Sequence, residues 1–279
     1  ERSMASSRRI FGMMQTKIKI VNHENAVKLD DLKKDIIFND ISFNYDEKES
    51  LFKNFNLKIP FGSSIGIVGD TGSGKTTISK LLLRLYDLSD GSIYIGEHNI
   101  KEIDIRSLRS KIGIVSQDSF LFNSTISKNI SYGSKEPFKE DIENAAKQSQ
   151  AIEFIEKLPM GFETIVGERG RTLSGGQNQR LAIARALMRK PDVLIFDEAT
   201  SSVDNKTEQL IQKALFNIRK GRTTIIIAHR LSTVRNCDNI FVIKDGMILE
   251  EGDHNRLINK NGGYYSQLWK IQTGEELLS

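Results

Sequence analysis

Polar and apolar residues alternate through Ile36–Phe43 and again through Phe55–Ile59, which predicts two half-buried strands. Ser64-Ile65-Gly66-Ile67-Val68 is a continuous apolar run of the kind that is buried on both faces, and it leads straight into a glycine-rich stretch. Beyond it Ile78, Leu81, Leu82 and Leu85 recur at helical spacing. Residues from about 118 to 191 are mostly helical in pattern, with stretches near Asp141–Leu158 and Ser174–Met188, the second closed by Pro191. Strand patterns return at Val193–Phe196, Thr223–Ala228, Ile240–Ile243 and Met247–Leu249, and Asp245-Gly246 predicts a hairpin between the last two. The whole reads as an α/β core interrupted by a helical insert.

Ahead of the first strand the pattern is weaker. Ile10, Phe11, Met13 and Met14 sit among Arg2, Arg8, Arg9, Lys17 and Lys19, a short basic helix or a solvated arm. A linker of alternating charge runs from there to about Lys34. The 279 residues suffice for one large domain or two small ones, with ordinary apolar and charged content (38% and 27%). A net charge of +4 is too mild to point to nucleic acid. One cysteine, Cys237, forms no internal disulfide, and no Cys/His cluster has zinc spacing, so a reducing compartment is expected. No run nears the roughly 20 apolar residues of a membrane span. The chain opens at Glu1 rather than Met, which reads as part of a longer product.

The glycine-rich stretch Gly69-Asp70-Thr71-Gly72-Ser73-Gly74-Lys75-Thr76 satisfies G-x-x-x-x-G-K-[ST] between a strand and a helix. Glycines let successive amides converge on one phosphate at a helix N-terminus; Lys75 adds charge, and the Thr76 hydroxyl suits magnesium. A small GTPase would need N-K-x-D, and Asn205-Lys206-Thr207-Glu208 ends in the wrong residue; kinases and helicases remain open on this loop alone.

Two further features narrow the field. Val193-Leu194-Ile195-Phe196-Asp197-Glu198 is a buried-type strand tipped with two carboxylates, Asp197 suited to a metal shell and Glu198 to polarising water. In Leu173-Ser174-Gly175-Gly176-Gln177, Ser174 reads as a helix N-cap, and the glycines leave amides uncovered for a second anion site.

From about residue 36 onward, with these motifs in order, the sequence resembles the ATP-binding cassette (ABC) family, specifically the ATPase domains of exporters. The resemblance implies an α/β P-loop NTPase fold: a RecA-like core, an antiparallel β subdomain and a helical signature subdomain at about 118–190. Residues 1–35 would be an arm from a membrane domain, and 36–279 the ATPase domain. Residues 69–77, Thr77 included, match the first Walker motif, and Asp197-Glu198 the second. Tyr45 matches the aromatic that stacks on adenine, Gln117 the glutamine that joins magnesium and water to the membrane-facing surface, and His229 the switch histidine at the γ-phosphate. Ser174, Gly175, Gly176 and Gln177 match the signature, and Ser201-Ser202-Val203-Asp204 the loop crossing between subunits. The implied cofactors are ATP and Mg²⁺. The implied partners are a second ABC ATPase domain, head to tail, and a transmembrane domain reached through coupling helices, at the cytoplasmic face of a membrane and without nucleic acid.

Thr164-Ile165-Val166-Gly167-Glu168-Arg169-Gly170 is similar to the loop by which exporters sense their coupling helices. Ala5–Phe11 looks like the link from a last membrane helix. A soluble cassette ATPase or a separate importer subunit is the alternative. Asp70, Thr71, Thr77 and Asn178 are departures from the commonest family pattern. His23, His98 and His254 read as surface residues.

Overall fold

The computed structural model describes all residues except 1, 16–17, 46–49, 118, 135, 200–204, 220 and 275–279. In chain order the strands are β1 (Ile36–Phe43), β2 (Phe52–Ile59), β3 (Ser64–Gly69), β4 (Asp90–Ile95), β5 (His98–Asn99), β6 (Ile112–Val115), β7 (Val193–Asp197), β8 (Thr223–Ile227), β9 (Asn239–Lys244) and β10 (Met247–Gly252). The helices are α1 (Arg2–Met14), α2 (Lys75–Leu82), α3 (Ile105–Ser110), α4 (Ile126–Ile130), α5 (Lys139–Gln148), α6 (Ile152–Ile155), α7 (Gly175–Met188), α8 (Asn205–Ile218), α9 (Leu231–Val234), α10 (His254–Ile258) and α11 (Tyr264–Thr273).

Two sheets organise the chain. One has the order β2-β1-β4-β5 and is antiparallel; the other has the order β10-β9-β3-β8-β7-β6 and is parallel except for its β10 edge. Alternation along the parallel strands divides the core, because successive side chains point to opposite faces. Ile65, Ile67, Ile195 and Ile227 pack with α2 and the antiparallel sheet. Val68, Leu194, Phe196 and Val242 pack with α7, α8 and the C-terminal helices. The phosphate-loop strand β3 is thus central and covered on both sides.

Several expectations shift in detail. The helix after the glycine loop stops at Leu82 rather than running to Leu85, because Arg84 adopts a left-handed φ of 49° and leaves Leu85 exposed. The expected stretch Asp141–Leu158 is split into α5 and α6, with Gln150 at φ 58° between them. Asp245 and Gly246, both at positive φ, make the hairpin turn as expected, the pattern of a type I′ turn. The strands β4 and β6 were not marked by the apolar pattern.

The N-terminal segment is helical as α1, with Ile10, Phe11, Met13 and Met14 exposed. The charged linker is held down rather than free. Val27 bridges Ile103, Leu32 is fully buried, and the Leu32 amide donates to Asp192 Oδ2 at 3.0 Å. His254 is a correction to the surface reading. It is buried against Tyr265 and Trp269, and its Nδ1 lies 2.9 Å from the Tyr265 hydroxyl. Among the described residues, no helix is long and apolar enough to cross a membrane.

Candidate functional site

Strand β3 ends where only glycine fits. A Cβ on Gly69 would lie 1.9 Å from the Ile243 carbonyl oxygen, and Gly69 has φ 144°. The chain then curls through Asp70, Thr71, Gly72 and Ser73, with the Ser73 amide donating to the Asp70 carbonyl at 3.2 Å. Gly74 (φ 102°) directs the chain into α2, against the Phe52 ring. Lys75, buried at the helix start, turns its Nζ back to donate to the carbonyls of Gly69 (3.0 Å) and Asp70 (2.7 Å). Burial lowers its pKa, while Glu198, Asp70 and Asp197 act in the other direction.

The acids arrive from the tip of β7. Thr76 Oγ1 donates to Asp197 Oδ1 at 3.0 Å, and Ser79 Oγ reaches Asp197 Oδ2 at 3.4 Å. Burial raises the Asp197 pKa against the lowering effect of the Thr76 hydroxyl, so the carboxylate is held where its charge lacks full compensation. Glu198 follows at a left-handed φ of 54°, its amide donating to Ile227 O at 2.9 Å. A non-glycine residue in that region is strained, and such strain gathers at functional sites. It aims Glu198 at His229, beyond the end of β8, with Nε2 2.6 Å from Oε1.

Tyr45 closes the outer side. Its ring meets Phe43 and Tyr86 edge-on, its hydroxyl is 2.9 Å from Thr77 Oγ1, and it stays about half exposed. Tyr45, Thr71, Gly72, Gly74, Lys75, Thr76, Thr77, Glu198 and His229 together line one cleft of about 330 Å³.

The signature lies elsewhere. Ser174 caps α7 with a full capping box: the Gln177 amide donates to Ser174 Oγ (3.3 Å) and the Ser174 amide to Gln177 Oε1 (2.8 Å). Gly175 lines a different groove of about 540 Å³, together with Gln117, Arg169 and Asn178. The phosphate cleft therefore gathers neither the signature nor Gln117. Asp204 and the rest of the Ser201–Asp204 stretch fall outside the described residues.

Sequence reasoning missed several contributors. Ser79 steadies Asp197, and Phe52 sits beneath Gly74. Glu208, met in the sequence only as the wrong end of a base-reading motif, binds Arg230 and Ser232 just after His229. No local pattern marks them, since each is defined by a partner distant in sequence.

Known proteins resemble this chain in sequence and fold. A family model described as ABC transporter matches residues 52–201. The chain is 45% identical over 272 residues to an ATP-dependent lipid A-core flippase of Desulfotalea psychrophila, covering 98% of this chain and 47% of that protein. It is 46% identical to ATP-binding cassette sub-family B member 5 of Homo sapiens, covering 92% of this chain and 21% of that one. A solved bacterial Atm1-family ABC exporter with ATP bound superposes with a TM-score of 0.89 at 39% identity, over 97% of this chain and 47% of that one. The chain thus spans less than half the length of these relatives, and its fold is that of the ABC ATPases. Because the family match takes in more than half of the chain, from β2 through the whole phosphate loop to the acid-tipped β7, this protein belongs to the ABC transporter family.

Proposed function

We propose that residues 36–279 form an ATP-binding and ATP-hydrolysing domain that pairs with a second such domain around Mg-ATP and powers an exporter, with residues 1–35 as the arm toward its membrane domain. The observation that carries this reading is the meeting of Lys75, Thr76, Glu198 and His229 at one cleft, with buried Asp197 hydrogen-bonded to Thr76, acid tip against phosphate loop. In it the amides of residues 69–77 and the Lys75 ammonium bind the triphosphate, and Tyr45 stacks on the adenine. Glu198 orients and deprotonates the attacking water, and the His229 imidazole donates to a γ-phosphate oxygen.

Mg²⁺ fits the donors present: a hydroxyl (Thr76) and a carboxylate (Asp197), hard oxygens already 3.0 Å apart, with Asp197 short of compensating charge. Bound there, it would neutralise charge on the β- and γ-phosphates. Gln117, which lines the separate groove beside Gly175, would join that shell in the nucleotide-bound form. Ser174, Gly175, Gly176 and Gln177 do not line this cleft, and a partner copy's signature would complete it, with Asp204 on the crossing loop.

A groove between β6 and α7, lined by exposed Phe120, Phe122 and Tyr132 with Arg185 and Arg189, suits helices of a membrane domain. Relatives named as flippase and exporter support export as the process; in this reading the domain works at the cytoplasmic face of the membrane.

The test is Glu198→Gln. It should bind ATP as the unaltered chain does, lose turnover by roughly a hundredfold or more, and accumulate an ATP-dependent dimer in sedimentation. Phosphate release at the unaltered rate would refute the assignment.

A further inference from the structure

Helix α11 reaches both walls of the cleft from outside it. At its first residue, the Tyr264 hydroxyl donates to both carboxylate oxygens of Asp70 at 2.6 Å. Asp70 is the loop residue that departs from the commonest pattern, and its carbonyl accepts from Lys75 Nζ at 2.7 Å. The Lys244 ammonium sits 4.8 Å over the Tyr264 ring, which polarises the ring and strengthens its hydroxyl as a donor. The Tyr264 hydroxyl, with its pKa raised to about 12 chiefly by the Asp70 carboxylate, keeps its proton across the neutral range.

One residue before its end, α11 makes a second contact. The Gln272 side chain donates through Nε2 to the His229 carbonyl at 2.7 Å and accepts from the Leu231 amide at 2.9 Å. One amide therefore brackets Arg230 and fixes the backbone on either side of it, with Arg230 itself held by Glu208. Eight residues of helix, about 12 Å, separate Tyr264 from Gln272, so a rigid rod sets the spacing of the two contacts. The rod is itself anchored: buried Glu250 accepts from the Tyr264 and Tyr265 amides at 3.0 and 2.9 Å, and Tyr265 is fully buried.

We propose that α11 is a positioning strut for the nucleotide cleft, Tyr264 holding the phosphate loop through Asp70 and Gln272 holding the His229 backbone. The two ends act on different quantities. Without the Tyr264 hydroxyl the Asp70 carboxylate is released beside Lys75, where it competes with phosphate for the ammonium, so nucleotide affinity falls. Without the Gln272 amide the His229 ring loses its fixed approach to Glu198 and the cleft, so turnover falls. This strut rests on the hydrolytic reading above.

The experiment is steady-state ATPase kinetics on the full chain and on Tyr264→Phe, Gln272→Met and Lys270→Ala, with melting curves for each. Tyr264→Phe should raise KM by roughly three- to tenfold with kcat little changed, the size expected for one charge-assisted hydrogen bond at a part-exposed site. Gln272→Met should lower kcat by about tenfold with KM little changed. Lys270→Ala, an exposed residue of the same helix, should change neither. Both variants matching the unaltered chain, or both constants moving together in proportion to a lowered melting temperature, overturns the strut. An unaltered chain with no turnover overturns the hydrolytic reading and the strut with it. Should Gln272→Met melt below the assay temperature, Tyr264→Phe with and without Asp70→Asn decides: because asparagine removes the competing carboxylate, a double variant whose KM falls back from that of Tyr264→Phe supports the strut, and one whose KM stays as high or higher overturns it.

Discussion

His229 Nε2 lies 2.6 Å from Glu198 Oε1, joining the end of β8 to the end of β7 across the mouth of the phosphate cleft. The contact depends on two backbone constraints, the left-handed φ of Glu198 and the Gln272 bracket behind His229. Replacing His229 by alanine removes the group proposed to donate to the γ-phosphate, while leaving the phosphate loop intact. Turnover should drop by about a hundredfold, with ATP affinity within a few-fold of the unaltered chain. Single-turnover phosphate release alongside equilibrium nucleotide binding separates the two quantities.

Gly74→Ala should damage the loop by two routes. Its φ of 102° is strained for any Cβ, and that Cβ would stand 2.6 Å from the Phe52 ring. A loss of about 1–3 kcal/mol in stability is expected from the backbone alone. Adding Phe52→Leu makes room without relieving φ, so denaturant melts should show partial recovery. Full recovery would mean that the ring contact, not the backbone, sets the requirement.

Ser174 has a structural and a proposed functional role, and they can be told apart. Ser174→Ala removes the N-cap of α7 and should cost about 1 kcal/mol of stability. If the capped helix start also receives a partner's γ-phosphate, ATP-dependent dimerisation of Glu198→Gln should vanish when Ser174→Ala is added, while ATP binding to the monomer persists. Sedimentation with and without ATP reads the difference.

Acid stability should reveal the anchors of the C-terminal helices. Burial opposes ionisation of Glu250, but the Tyr265 amide, Lys260 and the Tyr264 amide outweigh it and hold its pKa below 4.5. A carboxylate depressed in the folded state contributes stability above its unfolded pKa and loses it as pH falls through the folded value. His254 is depressed below 6.5 mainly by burial, with Arg235 adding to this and Asp253 opposing it, so it withdraws stability as pH falls from about 6.5 toward its folded value. Melting temperature should therefore decline in two steps below neutrality. Glu250→Gln, which leaves one amide without its acceptor, should cost about 1–3 kcal/mol at pH 7 and flatten the step below pH 4.5.

Cys237 is buried, and burial pushes its thiol up to about 12. It should resist alkylation by iodoacetamide in the native chain and react fully in denaturant; mass spectrometry at matched times checks this.

Period-two and helical patterns by themselves located β1, β3, β7, β8 and α7, because burial of one or both faces is written into local residue order. The phosphate loop was legible for a related reason: residues 69–76 act through their own backbone, so sequence and geometry coincide. The acidic tip was legible because buried strands have no other use for adjacent carboxylates. What local order could not determine were pairings between distant segments. Tyr264 on Asp70, Gln272 around His229, Glu208 on Arg230 and the burial of His254 arise only when α8 and α11 dock on the sheet. A hydroxyl or amide looks the same in sequence whether solvent or a loop satisfies it, and only the folded chain decides which. The separation of Ser174 and Gln117 from the phosphate cleft belongs to the same class, since it follows from where the helical segment packs rather than from any residue in it.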